Sequence, residues 1–195
     1  MRSPTQRDLT PSDIGEVVAA GLGAEVVAAA ELTGGGFAAV WGATLADGRE
    51  VVVKVGPPPS ARLLAYEKGA VPAEAEYYDL IHEHVPGVPV PEVLAVAPEW
   101  TITTRLPGRL LTEGDAPRAR ADLGAAVARI HTVTGSRFGF TGDRPSGGDW
   151  PTAFGAIIES LRADARLWQV PLPPLDGVVK RHHDVLATVT RPALL

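Results

Sequence analysis

The stretch Glu31–Val55, ELTGGGFAAVWGATLADGREVVVKV, decides the fold. Most of it reads as two antiparallel strands, Phe37–Leu45 and Arg49–Val55, joined by Ala46-Asp47-Gly48, because Asp-Gly supplies the positive-φ positions a tight hairpin needs. In front of the hairpin stand Gly34, Gly35 and Gly36, which lack Cβ atoms, so the backbone there can approach a ligand closely and point N–H groups at it. The run Val51-Val52-Val53-Lys54 sends alternate side chains to the two sides of the sheet. It brings one ammonium beneath the glycine turn. Amides over phosphates, a point charge against them, and Val40 and Val52 as walls for a base suit a nucleoside triphosphate. A glycine turn with a surface lysine at a strand end is the plain alternative, since short glycine motifs often match by chance.

Working outward, the chain of 195 residues has room for one ordinary domain or two small lobes. With 45% apolar and 21% charged residues it can bury a core and does not read as a disordered polymer. A net charge of −5 supplies no basic field for a phosphate backbone, so nucleic acid is not an expected partner. There is no cysteine, hence no disulfide framework and no cysteine-based metal or nucleophile site. Met1–Ser12 has no apolar core of the signal-peptide kind, and no apolar run is long enough to span a bilayer. The default expectation is a cytoplasmic protein with no membrane partner.

Thr10-Pro11-Ser12-Asp13 opens a helix, with a capping hydroxyl, proline at the first helical position and an acid in the first turn. Ile14, Val17 and Val18 give it an apolar stripe, and Gly21–Gly23 end it. Weak alternation over Glu25–Leu32 predicts a first strand beside the hairpin, and Pro57-Pro58-Pro59 a stiff exposed loop. Pro72–Val85 reads as a helix with Tyr77, Tyr78, Leu80 and Ile81 on its apolar face. Glu74 and Glu76 lie near its start, where the helix dipole favours acids; either could also reach back to hold Lys54. His82 and His84 sit two apart, on different sides of a helix, and are expected in solvent rather than on a metal.

Val93–Val96 and Thr101–Thr104 add two strands, making a five-stranded antiparallel sheet with one helix against it. At Pro107-Gly108 the periodicity becomes helical, over Arg118–Val133, Thr152–Trp168 and Leu175–Thr188, which marks a boundary between lobes. Trp41, Trp100, Trp150 and Trp168 are expected to fill core gaps. Asp143 and Asp149 belong to a polar turn, TGDRPSGGDW, and His131 to the packed or capped end of a helix.

The glycine turn, VVVK, EAEYYDLI, PVPEVLAV, TTRLPGR, LGAAVARIH and FGFTGD stand in an order that resembles the amino-terminal part of the aminoglycoside phosphotransferase family and its fructosamine-kinase relatives, over Thr10–Leu195. The resemblance implies an α+β, protein-kinase-like fold: a nucleotide-binding lobe over 1–104, a hinge at 105–108 and an incomplete helical lobe over 109–195. It implies ATP or GTP as cofactor and a small-molecule acceptor as partner in the complete protein. The phosphate-covering turn falls on Gly34, Gly35 and Gly36, with Phe37, Val40 and Val52 beside it, and the phosphate-binding lysine on Lys54. Its glutamate partner falls on Glu74, with Glu67 and Glu76 as runners-up. The segment whose backbone bonds adenine falls on Thr103, Thr104, Arg105 and Leu106.

The departure from that family is as informative. Its catalytic loop, of the form H-G-D-x-x-x-x-N, and the following aspartate serve the acceptor hydroxyl and Mg2+. The segment Arg191–Leu195 looks like the strand entering that loop. His182-His183-Asp184 has an H-x-D spacing, but it reads as helical, and the sequence contains no asparagine. No catalytic residue and no metal ligand is therefore assigned. The expectation is the nucleotide-binding portion of a phosphotransferase, inactive alone, with a non-catalytic kinase-like binding or interaction module as the alternative. Apolar helix faces left uncovered are expected to promote association.

Overall fold

The computed structural model describes residues 3–109, 111 and 117–193 and divides into two compact units, Met1–Arg62 with Gly69–Asp115, and Leu63–Lys68 with Ala116–Leu195. In the first unit, helix α1 (Pro11–Leu22) starts where the sequence places it. The Thr10 hydroxyl accepts from the Asp13 amide while the Asp13 carboxylate accepts from the Thr10 amide at 2.6 Å, a reciprocal capping box. Gly23, at φ 61°, ends the helix in the left-handed conformation.

Strands β1 (Val26–Glu31), β2 (Ala39–Leu45), β3 (Glu50–Val55), β4 (Val93–Ala97) and β5 (Trp100–Thr104) form the five-stranded sheet in the order β1-β2-β3-β5-β4, with every neighbouring pair antiparallel. Strand β2 begins at Ala39 rather than Phe37, because Gly34–Phe37 turn before the ladder starts, and β3 begins at Glu50 rather than Arg49. The hairpin closes as its Asp-Gly predicts: Gly48 stands at φ 86° and its amide donates to the Leu45 carbonyl.

Pairing fixes which side chains share a face. Trp41 lies opposite Val53, and Val53 opposite Ile102; these residues, with Ala39, Ala43, Leu45, Val51 and Val55, meet Ile14 and Val18 of α1 in the buried core. On the other face Val40 lies opposite Lys54, Gly42 opposite Val52, Lys54 opposite Thr101, and Val52 opposite Thr103. Helix α2 (Ala70–His84) packs against β4 and β5, with the Thr101 hydroxyl 3.4 Å from the Val71 carbonyl. It starts two residues before Pro72, behind a left-handed Gly69 that offers no side-chain cap, and Pro72 sits in the first turn, where its missing N–H costs nothing. His82 is exposed, but its Nε2 lies 3.1 Å from the Pro91 carbonyl, so it meets the loop before β4 as well as solvent.

The second unit is mainly helical: α3 (Pro117–Ile130), the short ribbon β6 (Phe138–Gly139) and β7 (Ser146–Gly147), α4 (Trp150–Leu167), α5 (Asp176–Arg181) and α6 (His183–Ala187). The predicted single helix over 175–188 is two, broken at His182, whose ψ of 14° leaves the helical range. Phe138, Trp150 and Phe154 pack in series with tilted rings, and Tyr66, in a 3₁₀ turn at Ala65–Glu67, stacks on Phe140. The buried Asp164 carboxylate accepts from the Ala65 amide at 2.8 Å, satisfying the start of that turn. Trp41 is buried, Trp100 packs against the core, and Trp150 and Trp168 are half-buried. Leu123 of α3 and Val185 of α6, by contrast, are 55% and 65% exposed.

Asp149 turns out to be the N-cap of α4: its Oδ1 accepts from the Thr152 amide at 2.8 Å. That backbone bond, more than any other influence, holds its carboxyl below the usual value of 3.8. The cap's contribution is therefore complete above the unfolded value and is lost as pH falls through the lowered folded value. Asp149→Asn is expected to flatten the acid limb of the stability profile below about pH 4 while leaving neutral pH little changed. Acid titration followed by circular dichroism checks this.

Candidate functional site

Lys54 sits one residue from the end of β3, a central strand, so its backbone is held on both sides, by Val40 of β2 and Thr101 of β5. Its Nζ bonds the Glu74 Oε2 of α2; the two side chains are 30% and 32% exposed. The other two acids named as partners are elsewhere engaged or turned away: the Glu67 carboxylate accepts from the Leu64 amide at 2.8 Å, and Glu76 is exposed.

Glu74 is itself held by a residue that reads in the sequence as part of an apolar face. Tyr78, one turn further along α2, donates its hydroxyl to Glu74 Oε1 at 2.7 Å. Burial first, and then the bond to the carboxylate and its charge, push the Tyr78 hydroxyl above its ordinary value of 10. It remains a donor across the working pH range. The two oxygens of Glu74 are thus divided between a cation and a phenol, which fixes the carboxylate and through it the ammonium. The spacing of four residues is the signal that could have identified Tyr78.

Gly34, Gly35 and Gly36 are exposed, and a Cβ built on any of them meets nothing within 4 Å. Only Gly34, at φ 122°, needs glycine for its backbone; the other two leave an open approach. Among the described residues none of the three amides donates a hydrogen bond. The carbonyls of Gly35 and Gly36 are occupied, by Gln6 Nε2 and Thr5 Oγ1 respectively, each at 3.0 Å. Phe37 is half-buried just before β2.

Val40 and Val52 are half-buried on the Lys54 face. A Cβ at Gly42, between them across the register, would stand 3.5 Å from Leu32 Cδ2 and 3.5 Å from Arg105 Nη1, so Leu32 and the Arg105 guanidinium border the same surface. Neither reads as a wall in the sequence, because Leu32 follows a strand of weak alternation. At the end of β5 the Thr104 amide donates to the Glu92 carbonyl at 2.9 Å, and just beyond it the Arg105 amide donates to the Glu50 carbonyl at 3.3 Å. The Leu106 amide donates to nothing among the described residues. The Thr104 and Arg105 amides are thus engaged, whereas the Leu106 amide is not engaged among the described residues.

His182, His183 and Asp184 are all exposed, with Asp184 in α6, and His131 is exposed beyond α3. Asp143 is exposed in its loop. Among the described residues, no three His, Asp or Glu side chains are grouped to hold a metal ion, and no helix is long and apolar enough to cross a membrane. Among the described residues, then, no donor set fits a resident Mg2+.

The sequence profile of a family described as "Phosphotransferase enzyme family" matches residues 30–190. No curated protein matches the chain. Among solved structures, a candidate fructosamine-3-kinase from Thermobifida fusca YX-ER1 is similar with a TM-score of 0.64 at 23% identity, over 95% of this chain and 66% of that one. The apoenzyme of macrolide 2'-phosphotransferase MphH from Brachybacterium faecium gives 0.50 at 17% identity, over 90% and 59%. The gentamicin complex of APH(2")-IIa gives 0.52 at 12% identity, over 92% and 57%. The chain thus spans 57 to 66% of the length of these three proteins. The likeness is one of fold, α+β and protein-kinase-like.

Proposed function

The chain belongs to the phosphotransferase enzyme family, and on that premise we propose that it is the nucleotide-binding portion of an ATP-dependent small-molecule phosphotransferase. The observation that carries the reading is the Lys54–Glu74 pair, steadied by Tyr78 on one sheet face, together with an exposed glycine turn whose amides are uncommitted. In this reading those amides and the Lys54 ammonium receive the phosphates of ATP or GTP. Val40, Val52 and Leu32 wall the base, and the Leu106 amide offers it a hydrogen bond. Positioning and charge are what phosphoryl transfer asks of a protein, since the chemistry lies in the nucleotide.

Transfer itself is not expected from these residues alone. The family's Asn has no counterpart in a sequence without asparagine, and Asp184 lies exposed on a helix. A second reading is a kinase-like module that binds without catalysing. On either reading the protein works in the cytoplasm, with a hinge at 105–108, a few residues before the first compact unit ends at Asp115. The fold neighbours named for a fructosamine kinase, a macrolide phosphotransferase and a gentamicin complex make a sugar or amino-sugar hydroxyl the acceptor class to test first.

A thermal-shift titration with ATP and GTP tests binding. A nucleotide at about 100 times its Kd stabilises by about 2.7 kcal/mol, a rise of about 5–10 °C for a chain of this size. No rise with either nucleotide at millimolar concentration contradicts the proposal. Product formation from an amino sugar by this chain alone contradicts its non-catalytic part, and sedimentation of the same samples reads association through exposed positions such as Leu123.

A further inference from the structure

We infer that Thr5, Gln6 and Arg7 are positioning residues that strap the glycine turn to the strand carrying Lys54, and that they aim the Gly36 and Phe37 amides at the phosphates; this rests on the nucleotide reading above. The strap lies ahead of every motif in the sequence. Arg7 holds its far end: Nε donates to the Gly56 carbonyl at 2.9 Å and Nη2 to the Pro57 carbonyl at 3.2 Å, immediately after β3, while Nη2 also meets Glu99 at 2.5 Å. Gln6 Nε2 donates to the carbonyls of Gly35 at 3.0 Å and Ala38 at 3.2 Å, and Thr5 Oγ1 donates to Gly36 at 3.0 Å. Ser3 braces the segment from within, its carbonyl accepting from the Gln6 amide at 3.0 Å and its hydroxyl lying 2.8 Å from that of Thr5. Four residues further on, α1 buries Ile14 and Val18 completely, so the strap is anchored on the core.

The consequence follows from the peptide unit. In a planar trans peptide the C=O of one residue and the N–H of the next point in opposite directions. Holding the Gly35 and Gly36 carbonyls against the strap therefore turns the Gly36 and Phe37 N–H groups to the other side. Neither amide donates within the described residues. Three glycines in a row would otherwise lose much conformational freedom on ordering around a ligand. The strap orders them beforehand, and preorganisation of this kind raises affinity without adding a contact.

The double variant Thr5→Ala/Gln6→Ala, made in the whole chain, tests this with ATP and adenosine as probes. ATP affinity is expected to fall about tenfold, as the loss of such hydrogen bonds implies, while adenosine affinity, which needs no phosphate contact, stays within about twofold. Thr5→Ser, which keeps the hydroxyl, is expected to bind ATP like the unaltered chain. In the free protein, backbone order parameters at Gly35–Phe37 are expected to drop in the double variant from the rigid range, about 0.85, to about 0.6 or below. Equal weakening of both probes, or unchanged order parameters, overturns the strap. An unaltered chain with no affinity for ATP refutes the nucleotide reading instead, and the order parameters still decide whether the strap orders the turn.

Discussion

Lys54→Met weakens ATP binding by about thirty- to a hundredfold and leaves the free protein's melting temperature nearly unchanged: this is the expected result of removing the one ammonium that β3 places on the face proposed to bind nucleotide. The binding term is large because a hydrogen bond to a charged group contributes about 1.5–3 kcal/mol. The stability term is small because the Lys54 and Glu74 side chains remain about a third exposed, and ion pairs open to solvent contribute about 0–1 kcal/mol. Glu74→Gln separates charge from position. It keeps a side chain that can hydrogen-bond Tyr78 and is expected to cost only several-fold in affinity, since Lys54 stays in place but less firmly held. Isothermal titration with ATP measures both. A Lys54→Met chain that binds as tightly as the unaltered one removes the lysine from the site.

The largest effect on stability is expected at the centre of the sheet. Ile102 is fully buried, opposite Val53 and in one cluster with Ile14, Val18 and Trp41. Ile102→Ala removes three carbons from a close-packed interior and leaves a cavity, at a cost of about 3–4 kcal/mol, or about 10 °C in melting temperature for a chain of this size. Against a total of about 5–15 kcal/mol, that is a large share. A comparable truncation at Val185, which is 65% exposed, is expected to change stability by less than about 0.5 kcal/mol. Urea unfolding of the three proteins makes the comparison, and an Ile102→Ala cost below about 1 kcal/mol contradicts the assigned core. The neighbours Thr101 and Thr103 lie opposite Lys54 and Val52 on the other face, so a shifted β5 would also show as weaker nucleotide binding.

Much of the first unit was legible from local chemistry. The β2–β3 hairpin follows from Asp-Gly between alternating β-branched runs, and α1 from Thr10, Pro11 and Asp13. In both, the determinant lies within a few residues of what it determines. The pairing of Lys54 with Glu74 came from the order of motifs rather than from spacing, because the two are twenty residues apart in the sequence.

What escaped sequence reading is long-range or unpunctuated. The break at His182 carries neither glycine nor proline, so nothing in the local pattern distinguishes α5 and α6 from one helix. Ala70 begins α2 behind a glycine instead of a capping Ser, Thr or Asp, which moved the predicted start to Pro72. Gln6 reaches Gly35 across 29 positions and Arg7 reaches Glu99 across 92; neither contact leaves a periodicity. Asp149 lay in a stretch read as polar turn, and its capping role emerged only because α4 starts at Trp150, two residues before the expected Thr152. Tyr78 was counted as apolar surface because its ring is, whereas its hydroxyl does the holding.

The most direct test of the central claim, that the glycine turn and Lys54 receive a nucleotide's phosphates, is a nuclear magnetic resonance titration of the 15N-labelled chain with ATP. The account predicts the largest amide shifts at Gly36, Phe37, Lys54 and Leu106, with those at Gly36 and Phe37 absent when adenosine replaces ATP. Saturable binding that leaves these four amides unmoved and shifts resonances elsewhere would contradict it.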